Sequence, residues 1–199
     1  MARTQSADYD QRREAIVERA AHLFATSGFR GASVSDLAIA CETSKSLLYH
    51  YFPSKEDVLY EVMSSHIDQL CEDVDDVMQR KDEPTVLLHA LIHNFMRHYI
   101  GAADRQKVLL NELDNLPSDR RETIVAKQRR VIDAVQSLLE RIDPGLADPA
   151  RARVQTMLLF GMINWTHTWF DPKGPVSADA IADMALAHFL PGKNPIQAS

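Results

Sequence analysis

Apolar residues recur at three- and four-residue spacing along nearly the whole chain, and no segment sustains the two-residue alternation of a half-buried strand. That periodicity predicts an all-α fold of about nine helices. Ile16, Ala20, Leu23 and Phe24 put one apolar face on a first helix over Tyr9–Ser27, which Gly28 ends by taking the left-handed C-cap conformation. Ser33 and Asp36 have capping-box spacing and predict a short second helix over Val34–Ala40. Cys41, Glu42 and Thr43 then form a turn, Thr43 or Ser44 caps a third short helix through His50, and Phe52-Pro53 stops it. Ser54 and Asp57 repeat the capping pattern and open a fourth helix that ends near Arg80. Further helices are expected over Pro84–Ile100, Asp104–Asn115, Ser118–Ile142 and Asp148–Phe170, with a ninth capped by Ser177 and running to Leu190.

The chain has 199 residues, 45% hydrophobic and 25% charged, the make-up of a soluble globular protein. No apolar run approaches the roughly 18–20 residues of a membrane span, and the first residues lack the apolar core of a signal peptide. The expected compartment is the cytoplasm, with no membrane partner. Cys41 and Cys71 lack the CxxC spacing of a zinc or redox site and are expected to be reduced thiols. The net charge of −6 argues against a nucleic-acid partner until its distribution is considered. Residues 1–55 carry seven Lys/Arg against six acids, whereas the rest carries fifteen against twenty-two. Any phosphate contact therefore belongs at the N-terminal end.

Two short helices joined by a three-residue turn and preceded by a longer amphipathic helix are what a helix-turn-helix requires. The second must present polar groups at its N-terminal end to a major groove about 12 Å wide. Thr43, Ser44, Lys45 and Ser46 occupy that end, with Tyr49 and His50 one turn on, while Leu37, Ala38, Leu48 and Phe52 supply a small core. Arg3, Arg12 and Arg13 are candidates for an arm along the DNA backbone.

The stretch from Asp36 to Leu59, and above all Leu48-Tyr-His-Tyr-Phe-Pro-Ser-Lys-Glu56, resembles the DNA-binding signature of the tetracycline-repressor (TetR) family over about residues 10–60. The resemblance implies a homodimeric repressor on a palindromic double-stranded DNA operator, released by a small-molecule effector. It implies DNA contacts from Lys45, Tyr49 and His50, and phosphate contacts from Ser33 and Lys55. Two positions depart from the family's pattern: Glu42 stands where Gly is common in the turn, and Thr43 where an aliphatic residue is common. The organisation expected is a DNA-binding domain over 1–53, a sensing and dimerising domain over 54–191, and a tail over 192–199.

The eighth helix is apolar nearly all round: Val154, Leu158, Gly161, Trp165 and Trp169 share one stripe, and Met157, Phe160, Ile163 and Phe170 fall elsewhere. Such a helix must be covered on both sides. One face meets the core, the other a second subunit, with Gly161 allowing close approach. With the ninth helix, the dimer candidates are Val154, Leu158, Gly161, Met162, Ile181, Met184, Ala185 and His188. The run Gly161–Pro175, Glu112–Pro117 and Gln128-Arg129-Arg130 are similar to TetR-type regulators of fatty-acid, phenylacetate and sterol degradation, which sense acyl-coenzyme A thioesters. An effector of that class needs an apolar slot and cations for its phosphates. Phe95, Tyr99, Leu109, Trp165 and Trp169 are the candidates for the slot, and Arg97, Arg129 and Arg130 for the phosphates. An effector but no cofactor is expected.

Three other functions compete. His89 and His93 lie at i, i+4 with His98 beyond, but no thiolate or HExxH motif joins them, so no metal site is expected. His167 and Asp171 share a helix side without a nucleophile motif or a glycine-rich loop, which argues against an enzyme. A drug-sensing regulator of the same fold is the closest rival. Its pocket would hold buried acids, whereas acids here cluster on solvated faces such as Glu72–Asp76.

Overall fold

The computed structural model describes residues 2–190, with side chains from Asp8 onward. Among these residues the chain forms nine α-helices and no strand: α1 Ala2–Ser27, α2 Val34–Ala40, α3 Lys45–Tyr51, α4 Lys55–Met78, α5 Pro84–Gly101, α6 Ala103–Asn111, α7 Ser118–Ile142, α8 Pro149–Asn164 and α9 Ala178–Ala187. The tail expected over 192–199 and the Arg3 side chain lie outside the described residues.

Local chemistry accounts for most boundaries. Gly28 ends α1 at φ +71°, and a Cβ on Gly31 would meet the Ser27 carbonyl oxygen at 2.3 Å, so the reversal into α2 depends on both glycines. At α2 the Ser33 Oγ accepts from the Asp36 N–H while Asp36 accepts from the Ser33 N–H, a complete capping box. Ser44, Asp148 and Ser177 cap α3, α8 and α9. α8 stops at Asn164, short of the expected Phe170, and Trp165–Thr168 tighten into a 3-10 turn. Thr166 and Thr168 donate their hydroxyls to the carbonyls of Ile163 and Trp165, three residues back, at 2.6 and 2.8 Å. Those bonds favour the narrower turn. α6 ends early in the same way, followed by a 3-10 turn at Leu113–Asn115.

The helices pack as two compact units. The first comprises the chain up to Ile67 together with Asp104–Val125. Its core contains Ile16, Val17, Ala20, Ala21 and Phe24 of α1, Leu37 and Ala38 of α2, Leu48 of α3, and Val58, Leu59, Val62 and Met63 of α4. The second comprises Asp68–Ala103 and the chain from Ala126 on. There α9 packs along α5 and against α8, around a core that includes Leu91, Ile92, Phe95, Val135, Leu138, Leu159, Ile163, Ala182 and Leu186. α4 and α7 each run from one unit into the other, so the packing divides at places other than the functional boundary expected at residue 53.

Candidate functional site

In the first unit, α2 and α3 are joined through Cys41–Ser44. The Glu42 N–H donates to the Ile39 carbonyl at 3.0 Å and the Thr43 N–H to the Ala38 carbonyl at 2.9 Å, the paired bonds of a Schellman motif. The residue between helix end and return must then be left-handed. Glu42 takes that conformation at φ +51°, the only non-glycine among the described residues to do so. Its carboxylate turns back onto Arg19, 2.5 Å away, whose guanidinium also donates to the Ala40 carbonyl. A side chain thus fills the position usual for glycine, and its charge is matched.

Four side chains then hold α3 in place from below. Leu37, Ala38, Leu48 and Phe52 are all buried, as expected, and the Arg13 guanidinium covers the Phe52 ring at 4.9 Å while donating to Glu61 at 2.6 Å. The hydrogen bond to Glu61 raises the Arg13 pKa above its usual value. Tyr9 of α1 lies against Tyr51 with ring centroids 4.7 Å apart and edge-on to His50 at 6.2 Å.

Above this base, Lys45, Ser46, Tyr49 and His50 are brought together on the exposed side of α3. The Lys45 ammonium has no ion pair among the described residues. Leu47, 39% exposed beside them, was missed by sequence reasoning because an apolar residue on a short helix reads as core. On this face it offers a contact for a thymine methyl group.

Other expected contacts have different partners. The Thr43 Oγ1 is buried and meets no hydrogen-bond partner among the described residues. Ser44 accepts from the Leu47 N–H as the α3 cap. Ser33 is held as the α2 cap, its hydroxyl donating to Asp36 at 2.6 Å. Lys55 donates to the carbonyls of Phe29 and Ala32, both at 2.8 Å, with its ammonium 4.0 Å above the Phe29 ring. Two of its three donors close the loop between α1 and α2, which leaves one for the expected phosphate. Arg12 pairs with Asp8 on the exposed side of α1.

Sequence reasoning also missed Arg105. Its side chain is 7% exposed and donates to Glu14, to Glu18 at 2.8 and 3.0 Å, and to Ser65 at 3.1 Å. The burial that lowers its pKa is outweighed by the two carboxylates. The clamp ties α6 to α1 and α4, which makes α6 part of the reading unit. Arg120, at the start of α7, likewise pairs with Asp57 on α4.

In the second unit the expected slot residues separate. Phe95 and Tyr99 are core residues, stacked 6.4 Å apart, with Phe160 6.3 Å from Phe95. Leu109 is buried in the first unit. Trp165 and Trp169 are 64% and 58% exposed, so they do not wall an enclosed slot within this chain. Arg97 bonds to Asn94 and approaches Asp179 at 3.9 Å; Arg130 pairs with Asp75; Arg129 is exposed with no ion pair among the described residues.

α8 has the two apolar faces its sequence demands. Ala152, Thr156, Leu159, Phe160 and Ile163 face inward, whereas Val154, Met157, Leu158 and Met162 are exposed, with Trp165 beyond the helix end. A Cβ on Gly161 would meet nothing within 4 Å. Met184 of α9 and His188, which caps its C-terminus, are exposed as well. Ile181 and Ala185, expected at the same surface, are instead buried at 7% and 3%, because that face of α9 is taken up by its packing within the unit. A groove of about 520 Å³ runs between Val154, Leu158, His188 and Phe189.

Residues 16–62 match the model of the bacterial regulatory proteins of the tetR family, and residues 81–192 match that of the tetracyclin repressor-like C-terminal domain. The HTH-type transcriptional repressor KstR2 of Mycolicibacterium smegmatis is 29% identical over 91% of this chain and 90% of its own. A TetR-family transcriptional regulator from Bordetella parapertussis has a crystal structure with a TM-score of 0.89 and 42% identity, covering 94% of this chain and 98% of that one. AibR, solved in complex with isovaleryl coenzyme A and operator DNA, gives a TM-score of 0.78 at 28% identity over 90% of this chain and 98% of its own. The chain belongs to the TetR family of transcriptional regulators, which are DNA-binding proteins and not enzymes.

Proposed function

We propose that the chain is a homodimeric repressor that reads a palindromic operator with the exposed face of α3 and is released by an acyl-coenzyme A thioester. The carrying observation is that face: Lys45, Ser46, Tyr49 and His50 project together from a short helix whose other side is buried. Lysine at a helix start suits a phosphate or a guanine edge, and Tyr49 adds both an apolar ring and a hydroxyl. The reading head is nearly neutral, so a single copy binds weakly, and affinity requires two heads at half-sites about 34–36 Å apart.

Dimerisation is supported by the apolar stripe of Val154, Met157, Leu158 and Met162, continued by Met184, all of which are exposed among the described residues. The open space above Gly161 adds room for a second helix. Glycine to alanine within a monomer's helix stabilises it by about 0.5–1 kcal/mol. A Gly161→Leu variant that still sediments as a dimer overturns this interface.

The effector class rests on the likeness to AibR, which was solved with isovaleryl coenzyme A, and on the exposed Arg129 in the second unit. A thioester that binds the DNA-incompetent state tenfold more tightly shifts the equilibrium by about 1.4 kcal/mol. The test is a mobility-shift titration with short- and medium-chain acyl-CoA thioesters, the matching free acids and CoA alone. Release by thioesters only is expected; silence from every thioester removes the effector assignment. Tyr49→Ala and Lys45→Ala abolish operator binding and leave the dimer intact, whereas unchanged affinity removes the assignment of α3.

A further inference from the structure

Along one edge of the packing between α5 and α9, four ionisable side chains face one another. His89 and His93 stand one turn apart on α5, their rings stacked with centroids 6.1 Å apart. Asp179 and Asp183 stand one turn apart on α9. His93 Nε2 lies 2.9 Å from Asp183 Oδ1, and His89 Nδ1 lies 3.8 Å from the same oxygen. One donor atom from each of His89, His93 and Asp183 falls within 4.8 Å of the others. The other nitrogen of His93, Nδ1, is 2.9 Å from Asp179 Oδ1.

These separations are close to what a metal ion requires. With ligand bonds of about 2.0–2.2 Å in a tetrahedral site, neighbouring donors stand about 3.4 Å apart. The two Asp183 distances bracket that value, and a small rotation of either ring closes the third. Two imidazoles and one carboxylate suit zinc, cobalt or nickel better than calcium or magnesium, which favour all-oxygen sets. Asp179 occupies the outer position that fixes the ring and tautomer of a ligating histidine. Arg97 approaches Asp179 at 3.9 Å and so neutralises the outer acid, leaving the inner one for the ion. His89 and His93 are 34% and 21% exposed and Asp183 is 59% exposed, so an ion enters from solvent without any helix moving.

We propose that His89, His93 and Asp183 bind one first-row divalent cation, with water as the fourth ligand and Asp179 orienting His93. The ion joins α5 to α9 and stabilises the second unit. The same contacts also suit His93 hydrogen-bonded between Asp179 and Asp183 with no ion, and metal titration separates the two arrangements.

The experiment uses the full chain without an affinity tag, stripped by chelator dialysis and titrated with cobalt(II) chloride. A visible d–d band saturating at one cobalt per chain, displaced by zinc, is expected. His89→Gln, His93→Gln and Asp183→Asn each weaken cobalt binding at least a hundredfold, and Asp179→Asn weakens it about 10–100-fold. His98→Gln, at a third histidine of α5 that pairs instead with Asp73 of α4, leaves binding unchanged. Zinc at a hundredfold excess over its Kd raises the wild-type Tm by about 5–10 °C. Wild-type protein that gives no band and no shift in Tm overturns the site regardless of how the variants fold. A band that survives in the histidine variants overturns it as well.

Discussion

Replacing Glu42 by glycine and, separately, by alanine isolates what its backbone costs the reading head. Both variants remove the carboxylate and its bond to Arg19, so that exposed pair cancels in the difference between them. What remains is the left-handed conformation at φ +51°, which the paired bonds from Glu42 and Thr43 impose on whichever residue stands there. A Cβ in that conformation costs about 1–2 kcal/mol. Glycine gives back about 0.4–1 kcal/mol of this, because its unfolded chain has more conformations to lose. The glycine variant is therefore more stable than the alanine variant by about 1 kcal/mol, which for a chain of this size is about 2–4 °C in Tm. Thermal unfolding followed by circular dichroism, with both variants at one protein concentration, reads the difference directly. An alanine variant that melts at the same temperature as the glycine variant, or above it, refutes the argument.

Three further outcomes follow from the same unit. Thr43→Val removes a buried hydroxyl that has no partner among the described residues and raises stability by about 1 kcal/mol; a lower urea midpoint than wild type shows the hydroxyl to be satisfied. Changing Glu14 and Glu18 together to Gln leaves the 7% exposed Arg105 guanidinium without a counter-charge and costs about 3 kcal/mol, whereas Arg105→Met leaves behind only two exposed carboxylates and costs less; the reverse order in urea unfolding contradicts the clamp. Burial pushes the Asp57 carboxyl up, but Ser54 and Arg120 outweigh it and hold the group below its usual 3.8. A lowered carboxyl contributes stability above that value and loses it as pH falls through the folded pKa. Asp57→Asn therefore flattens the loss of stability on acidification below about pH 4, and an unaltered acid limb in stepwise urea titrations speaks against the pairing.

What was legible in the sequence is what adjacent residues decide. The Ser33/Asp36 box, the Ser44, Asp148 and Ser177 caps and the Gly28 stop act within three or four residues, and each is formed. The exposed face of α3 was legible for the same reason, since seven residues of helix leave little choice of which side faces inward. Lys55, Arg105 and Asp183 were opaque because their partners lie 23 to 94 residues away and only the packing brings them together. The burial of Ile181 and Ala185 has the same origin: the stripe on α9 is visible in the sequence, but whether it faces α5 or solvent depends on a helix distant in the chain.

The Arg105 clamp bears on how such a protein can be recombined. A head cut at residue 53, or grafted from a relative by exchanging the first three helices, parts Glu14 and Glu18 from the guanidinium they hold and separates the first helices from Ile124, which is fully buried in the same unit. A chimera that exchanges operator specificity therefore has to move two pieces of chain at once, the first sixty-seven residues and Asp104–Val125, and leave the stretch between them behind.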